Sequence, residues 1–406
     1  MVDILETIQN KMENCDCGRK HHSIPLERLD IGHNVLSNLS FYIESKDYQF
    51  VSIVCDANTF LAAGNQVTDS LNEIGINAYV CTVQTNQLGE VVADEQTLVQ
   101  VLIDLPYNTD VIIAIGSGTL HDITRFICQQ RNVPMISVPT AASVDGFTSA
   151  GAPLILKGVK QTIQTVCPIA LFADLSILKN APKRMTAAGY GDMLGKFTSL
   201  ADWKVSHLLG NEPYCSSAAA ITSSALEVCV QQVDEIASLS SKGLHTLMES
   251  LITSGVIMMI LGNSRPASGA EHHLSHYWEM NYIKQGKRAL LHGEKVGVAT
   301  VIMTAIYREL VKDNAEMELK DKIIMWDEIK EAYSQLPTEE QLMGWLGVLE
   351  APMTTSDLGI SESLLSNALS EAHHLRERYT GLKMLNNLHI SAIDLYKSVP
   401  NPNGSC

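Results

Sequence analysis

Asp110-Val111-Ile112-Ile113-Ala114-Ile115-Gly116-Ser117-Gly118-Thr119-Leu120-His121-Asp122 is the stretch that decides the fold. Asp110–Ile115 reads as a short strand with apolar residues at consecutive positions. Such a strand is covered on both faces, as strands of parallel sheets are. A turn of small residues follows, and from Leu120 to Gln130 the pattern is helical. Glycines at such a turn let the backbone approach an anion, and the helix N-terminus supplies N–H groups and partial positive charge. His121 stands where a GxGxxG string has its third glycine. The turn therefore reads either as a pyrophosphate cradle or as an ordinary tight strand-to-helix connection.

Working outward, Phe50–Cys55, Asn77–Val83, Pro134–Val138 and Ile169–Ala173 have the same strand character. Helical patterns lie between them at Thr59–Ile74 and Ala93–Asp104. This alternation predicts an α/β dinucleotide-binding domain with a parallel sheet over residues 1–178. After Leu178 the strand pattern stops. Apolar-periodic segments at Met185–Leu209, Cys215–Ile236, Leu244–Leu261, Glu271–Ile283 and Leu291–Val311, with shorter ones to Ser398, predict an all-helical domain over residues 179–406. Asp56 ends the Phe50–Cys55 strand, where a carboxylate can accept the ribose hydroxyls of an adenosine and favour NAD over NADP. It serves equally well as a cap for the Thr59 helix. Pro139-Thr140-Ala141-Ala142-Ser143-Val144-Asp145-Gly146 follows the fourth strand, at the strand end where such sheets bind ligands; a polar surface loop is the alternative.

The chain has 406 residues, 46% hydrophobic and 18% charged, with a formal net charge of −16. It can bury sizeable cores. The acidic balance speaks against nucleic acid or an anionic membrane surface as the main partner. The apolar runs read as core elements, too short to span a bilayer. The first 20 residues show no secretory pattern, and an odd count of nine scattered cysteines fits reduced thiols in a cytoplasm.

Four of the 13 histidines fall between Glu271 and Glu294. His272 and His276 are spaced i, i+4 and share a helix face; His273 points elsewhere and reads as surface or supporting. His292 opens the next helical segment. Asp192, in Gly189-Tyr190-Gly191-Asp192, is a carboxylate in an apolar context that needs a partner. Two imidazoles and one carboxylate form a three-ligand divalent site with a position left for substrate. The ligands are dispersed, and an i, i+4 histidine pair unrelated to metal is the alternative.

GSGTLHDITRF, PTAASVDGFTSAGAP, AAGYGDMLGKFTSLADW, RPASGAEHHLSH and LHGEKVG occur in this order between about Asp56 and Thr380. Together they closely resemble the sn-glycerol-1-phosphate dehydrogenases of the bacterial AraM type. These belong to the iron-containing alcohol dehydrogenase and dehydroquinate synthase-like superfamily. The resemblance implies that fold, with the active site in a cleft. It implies metal ligands at Asp192, His272 and His292, and substrate contacts at His276 and Asp145. It implies cofactor contacts at Asp56, at Gly118, Thr119, Leu120, His121 and Asp122, and at Thr140, Ser143 and Ser149, beside Gly116 of the turn. The implied reaction is reversible reduction of dihydroxyacetone phosphate to sn-glycerol 1-phosphate with NADH or NADPH. A divalent ion is implied, nickel in bacterial members with zinc or iron as alternatives, and a homodimer.

In this reading a metal-polarised carbonyl receives the hydride, Asp192 and His276 are the catalytic pair, and His276 contacts or protonates the substrate oxygen. Lys196, one turn after Asp192, and Arg265 are expected to hold the substrate phosphate, with Arg378 as a weaker third. A polyol dehydrogenase, a dehydroquinate synthase-like cyclase and a non-catalytic nucleotide-binding protein are the competing functions. Cys15-Asp16-Cys17-Gly18-Arg19-Lys20-His21-His22 stands outside these motifs. Its Cys-x-Cys lacks the usual C-x2-4-C zinc spacing, so it reads as a solvated extension or a loop on the sheet edge.

Overall fold

The computed structural model describes residues 2–312, 319–320, 323 and 325–399; Cys406 lies outside them. Two compact units emerge. One comprises Met1–Asn14, His21–Gly189 and Asp234–Gly262; the other comprises Cys15–Lys20, Tyr190–Val233 and Asn263–Cys406. The units are not divided by a single cut near residue 178. The helix Ser241–Leu261 belongs with the sheet, and the short Cys15–Lys20 segment belongs with the later helices.

The first unit is built on a six-stranded sheet of β1 (Arg28–Gly32), β2 (Val51–Cys55), β3 (Tyr79–Thr82), β4 (Val111–Gly116), β5 (Met135–Pro139) and β8 (Ala170–Asp174), in the order β1-β8-β5-β4-β2-β3. Every pairing is parallel. All residues of β2, β4, β5 and β8 are buried. One apolar layer, with Ile53, Ile113 and Phe172, packs under the helix Ser37–Ser45. The opposite layer, with Ile112, Ala114 and Met135, packs under the helices Glu95–Asp104 and Gly118–Arg131. Two features were not anticipated: the edge strand β1, and an antiparallel hairpin of β6 (Gly151–Leu156) and β7 (Val159–Gln164). The hairpin turns on Lys157 and Gly158, both at positive φ.

Ser241–Leu261 corrects the expectation about apolar length. It has 21 residues and an apolar window of mean hydropathy 1.6, long and apolar enough to cross a membrane, but 72% of that window is buried inside the protein. The second unit is helical among its described residues. Its core joins Trp278, Trp326, Tyr307 and Tyr333, with the two tyrosine rings stacked at 4.2 Å.

Candidate metal centre and cofactor loops

The second unit brings three dispersed candidate ligands together. Asp192 lies near the end of the helix Lys183–Leu194, His272 in the first turn of Ala270–Lys284, and His292 at the start of His292–Leu310. One ligand atom from each lies within 4.8 Å of the others. The approach depends on Gly191: a Cβ there would stand 2.4 Å from the Gly293 carbonyl oxygen. Only a glycine lets the carboxylate helix come so close to the helix that begins with His292.

The surroundings fix the donors. Glu271 Oε1 accepts from the Gly269 N–H at 2.6 Å and from His272 Nδ1 at 2.7 Å, while Oε2 accepts from Thr198 Oγ1 at 2.7 Å. A proton on Nδ1 leaves His272 Nε2 as a lone-pair donor, 3.7 Å from Asp192 Oδ1. This is the carboxylate–histidine arrangement that orients metal-binding imidazoles. Lys196 Nζ donates to Asp192 Oδ1 and to its backbone oxygen, both at 2.9 Å. Burial opposes the Asp192 charge, but the Lys196 ammonium and the two imidazoles outweigh it and hold the carboxyl well below its usual range. Burial likewise opposes charge on His272, and the Asp192 and Glu271 carboxylates outweigh it upward. An ionised carboxylate and two imidazoles, one of them oriented by Glu271, all within one small span, fit a divalent ion.

Asp202 anchors the whole arrangement. Its Oδ2 accepts from the Ala270 N–H at 2.7 Å and so caps the histidine-bearing helix. Its Oδ1 accepts from Tyr307 Oη and from the Gly381 N–H, each at 2.8 Å. Burial, reinforced by the nearby Glu271 charge, pushes this carboxyl up to about 7.

His276 sits one turn beyond His272. Its ring lies 5.9 Å from that of His292. Arg376 Nη2 donates to His276 Nε2 at 3.3 Å, and Glu279 Oε2 stands 3.7 Å from Nδ1. Glu279 also pairs with the buried Lys295 at 3.0 Å. Arg378 is held only loosely, 3.3 Å from Ser264 Oγ. Burial, then repulsion from Arg376 and Arg265, lowers its guanidinium pKa to about 10.

Three sequence expectations change here. Lys196 is fully buried on Asp192, which makes it the counter-ion of a ligand and not a phosphate anchor. Arg265 is already paired with Glu212 at 2.5 Å; Arg376, which the sequence reading passed over, lies against His276 at 3.3 Å, and Arg378 reaches Ser264. His273 is wholly buried, which removes the surface alternative and leaves the supporting one, and desolvation with the two arginines pushes its pKa far down.

The cofactor candidates lie in the first unit. The helix Gly118–Arg131 starts at Ser117 with no side-chain cap, so its leading N–H groups keep their capacity for an anion. Gly116, Gly118, Thr119 and Leu120 form that turn. Asp122 follows, 3.9 Å from Arg125 Nε. His121 is a correction: its ring is buried between Ser117 O (2.9 Å) and Ser137 Oγ (2.7 Å) and supports the turn from behind. Desolvation pushes its pKa down to about 3. Arg125, fully buried, donates to Gly146 O, Ser149 O, Ser149 Oγ and Gly151 O and ties the loop after β5 to this helix. Thr140, Ser143 and Asp145 are buried in that loop. Asp145 Oδ2 accepts from Ser254 Oγ at 2.8 Å, and Ser149 is committed to Arg125. Asp56 forms a capping box with Thr59. The cap reading thus has direct geometric support, and its Oδ1 is occupied by the Thr59 N–H.

A family model described as iron-containing alcohol dehydrogenase matches residues 30–182. The glycerol-1-phosphate dehydrogenase [NAD(P)+] of Bacillus licheniformis is 46% identical over 387 residues, covering 95% of each chain. The chain belongs to the glycerol-1-phosphate dehydrogenase family. The family's member from Geobacillus stearothermophilus is 43% identical, over 96% of this chain and 99% of its own. Among solved structures, glycerol dehydrogenase from Schizosaccharomyces pombe superposes with a TM-score of 0.67 at 17% identity, over 95% of this chain and 93% of that one; this likeness is one of fold. The matched segment 30–182 ends before Asp192, so the metal ligands rest on the geometry of the second unit and not on that match.

Proposed function

We propose that the chain is an NAD(P)-dependent, divalent-metal-dependent sn-glycerol-1-phosphate dehydrogenase that reversibly reduces dihydroxyacetone phosphate. The observation that carries the reading is the convergence of Asp192, His272 and His292 beside His276 and Arg376. The relatives' common name, glycerol-1-phosphate dehydrogenase, supports the same conclusion.

Asp192, His272 and His292 would hold the divalent ion, whose chemistry is Lewis-acid polarisation of a substrate oxygen, while the reduced nicotinamide supplies the hydride. The chain's own residues do the rest. Arg376 and Arg378 bind the phosphate. Burying like charges near one another is costly, and an incoming dianion relieves that cost, so the pair discriminates a phosphorylated ketone from a plain polyol. Once phosphate claims Arg376, His276 Nε2 becomes available to the substrate oxygen and moves a proton to it. Glu279, between His276 Nδ1 and Lys295, holds the ring in place during the transfer. The uncapped turn at Gly118 binds the cofactor pyrophosphate, and the loop held by Arg125 lines the nicotinamide end.

The test is a stereospecific assay. The protein is chelated, then reloaded with nickel, zinc or iron, and given dihydroxyacetone phosphate and NADH or NADPH. Activity lost on chelation and restored by a metal, with sn-glycerol 1-phosphate as product, is the expected result; the sn-3 enantiomer overturns the assignment. Arg376→Ala with Arg378→Ala should raise KM for dihydroxyacetone phosphate at least tenfold and leave dihydroxyacetone nearly unaffected. An unchanged ratio removes the arginines from the phosphate site.

A further inference from the structure

The string Cys15-Asp16-Cys17-Gly18 looks deficient as a metal motif because it offers two thiols at the wrong spacing. Folding adds a third. Cys215, two hundred residues away, places its Sγ 3.5 Å from Cys15 Sγ. One sulfur from each of Cys15, Cys17 and Cys215 lies within 4.8 Å of the others. Gly18, at φ +69°, reverses the chain immediately after the second thiol. Only a residue without a side chain adopts that turn freely.

Cys215 is also the N-cap of the 16-residue helix Ser216–Gln231, its sulfur accepting from the Ala218 N–H at 3.4 Å. Spacing separates a metal site from a disulfide. Sulfurs bonded to each other lie about 2.05 Å apart. Two sulfurs each 2.3 Å from one tetrahedral zinc lie roughly 3.8 Å apart. The Cys15–Cys215 spacing of 3.5 Å is close to the second value. Three thiolates gathered this closely repel one another unless a cation stands among them.

We infer that Cys15, Cys17 and Cys215 form a structural zinc site, separate from the Asp192, His272 and His292 centre. The donor set is soft, whereas the other centre is imidazole and carboxylate, so the two sort metals differently. The chain itself offers the fourth donor that a closed site requires. His21 follows Cys17 by four residues, and its Nδ1 bonds the Met12 carbonyl at 2.9 Å. Such an orienting bond assigns Nε2 to the metal. No ligand is shared between the two centres. The role is structural: the ion ties the Cys15–Lys20 segment to the start of a long helix.

The test uses the full chain, purified under reducing conditions after growth with zinc and nickel. Metal analysis should find about two metal equivalents per chain. Cys15→Ser with Cys17→Ser should lose one equivalent of zinc, keep the other metal and retain dehydrogenase activity. A second measurement does not depend on that variant folding. Cobalt-loaded protein carrying Asp192→Asn and His272→Ala should still show an intense near-ultraviolet thiolate-to-cobalt band. His21→Ala should weaken zinc retention against a chelator at least tenfold. A single metal equivalent in the parent, no thiolate–cobalt band, or a Cys15–Cys215 disulfide in the mass of the unreduced protein each overturns the proposal.

Discussion

Replacing Gly191 by alanine isolates the geometry of the metal centre from its chemistry. The substitution removes no ligand, charge or hydrogen bond. The new Cβ would lie 2.4 Å from the Gly293 carbonyl oxygen and 3.2 Å from its carbon, where ordinary contact begins at 3.4 Å. Both atoms belong to backbone, so no side chain can rotate away. The helix ending at Leu194 and the one beginning at His292 must separate by about 1 Å, and overpacking of this kind costs roughly 1–3 kcal/mol. Each helix carries a ligand next to the point of contact, Asp192 on one and His292 on the other. A displacement of about 1 Å at a reacting centre costs on the order of a hundredfold in rate. Gly191→Ala should therefore stay folded, bind metal 10–100-fold more weakly and lose kcat on the same scale. Gly344→Ala is the control, because a Cβ at that helical glycine meets nothing within 4 Å; it should leave activity unchanged. The readouts are metal titration after chelation and steady-state kinetics at saturating metal. Parent-like metal affinity and kcat in Gly191→Ala would refute the close-approach argument outright.

Glu271→Gln keeps size but removes the charge facing His272 Nδ1, and should weaken metal affinity about 10–100-fold with the ligands intact; equal affinity by titration would remove Glu271 from its orienting role. Asp202 is held protonated to higher pH in the folded protein, about 7, than its ordinary 3.8. A raised carboxyl contributes stability in full below the unfolded pKa and loses it as pH climbs through the folded one. The parent should thus lose stability between about pH 4 and 7 from this group. The deficit of Asp202→Asn should then shrink over that window in thermal unfolding; a deficit that grows with pH contradicts the assignment. Arg125→Met leaves the Gly146, Ser149 and Gly151 carbonyls without their buried donor. It should cost at least about 3 kcal/mol in denaturant unfolding and raise KM for NADH more than KM for the ketone; equal effects on both would mean that the loop does not serve the cofactor.

The parallel sheet was legible because burial on both faces forces apolar runs: VSIVC, VIIAIG, MISVP and ALFAD are each wholly buried. The edge strand β1 was not, since Arg28 and Asp30 break the run at a margin covered on one side only. The hairpin escaped for a related reason: β7, VKQTIQ, is largely exposed and carries little apolar signal. At the site, the three candidate ligands that fold together were visible in the string, but their supports were not. Asp202 acts on residues 68 and 179 positions away, and no local pattern announces such a span. Glu271 had a usable clue, a carboxylate immediately before the first of two histidines. Arg376 and Lys196 show the converse: Lys196 is sealed on a carboxylate while Arg376 lies against an imidazole, and composition reports neither.

Lys196 has a consequence for the life of the protein between turnovers. A carboxylate sealed from water ordinarily becomes a liability once its metal leaves, because an unpaired buried charge destabilises the fold by several kcal/mol. Here the ammonium is covalently resident and stays with Asp192 whatever ion comes or goes. On the proposed ligand set, demetallation would then be a reversible change of cargo and not the first step of unfolding. The fold would then survive the interval between one ion and the next with its buried carboxylate still paired.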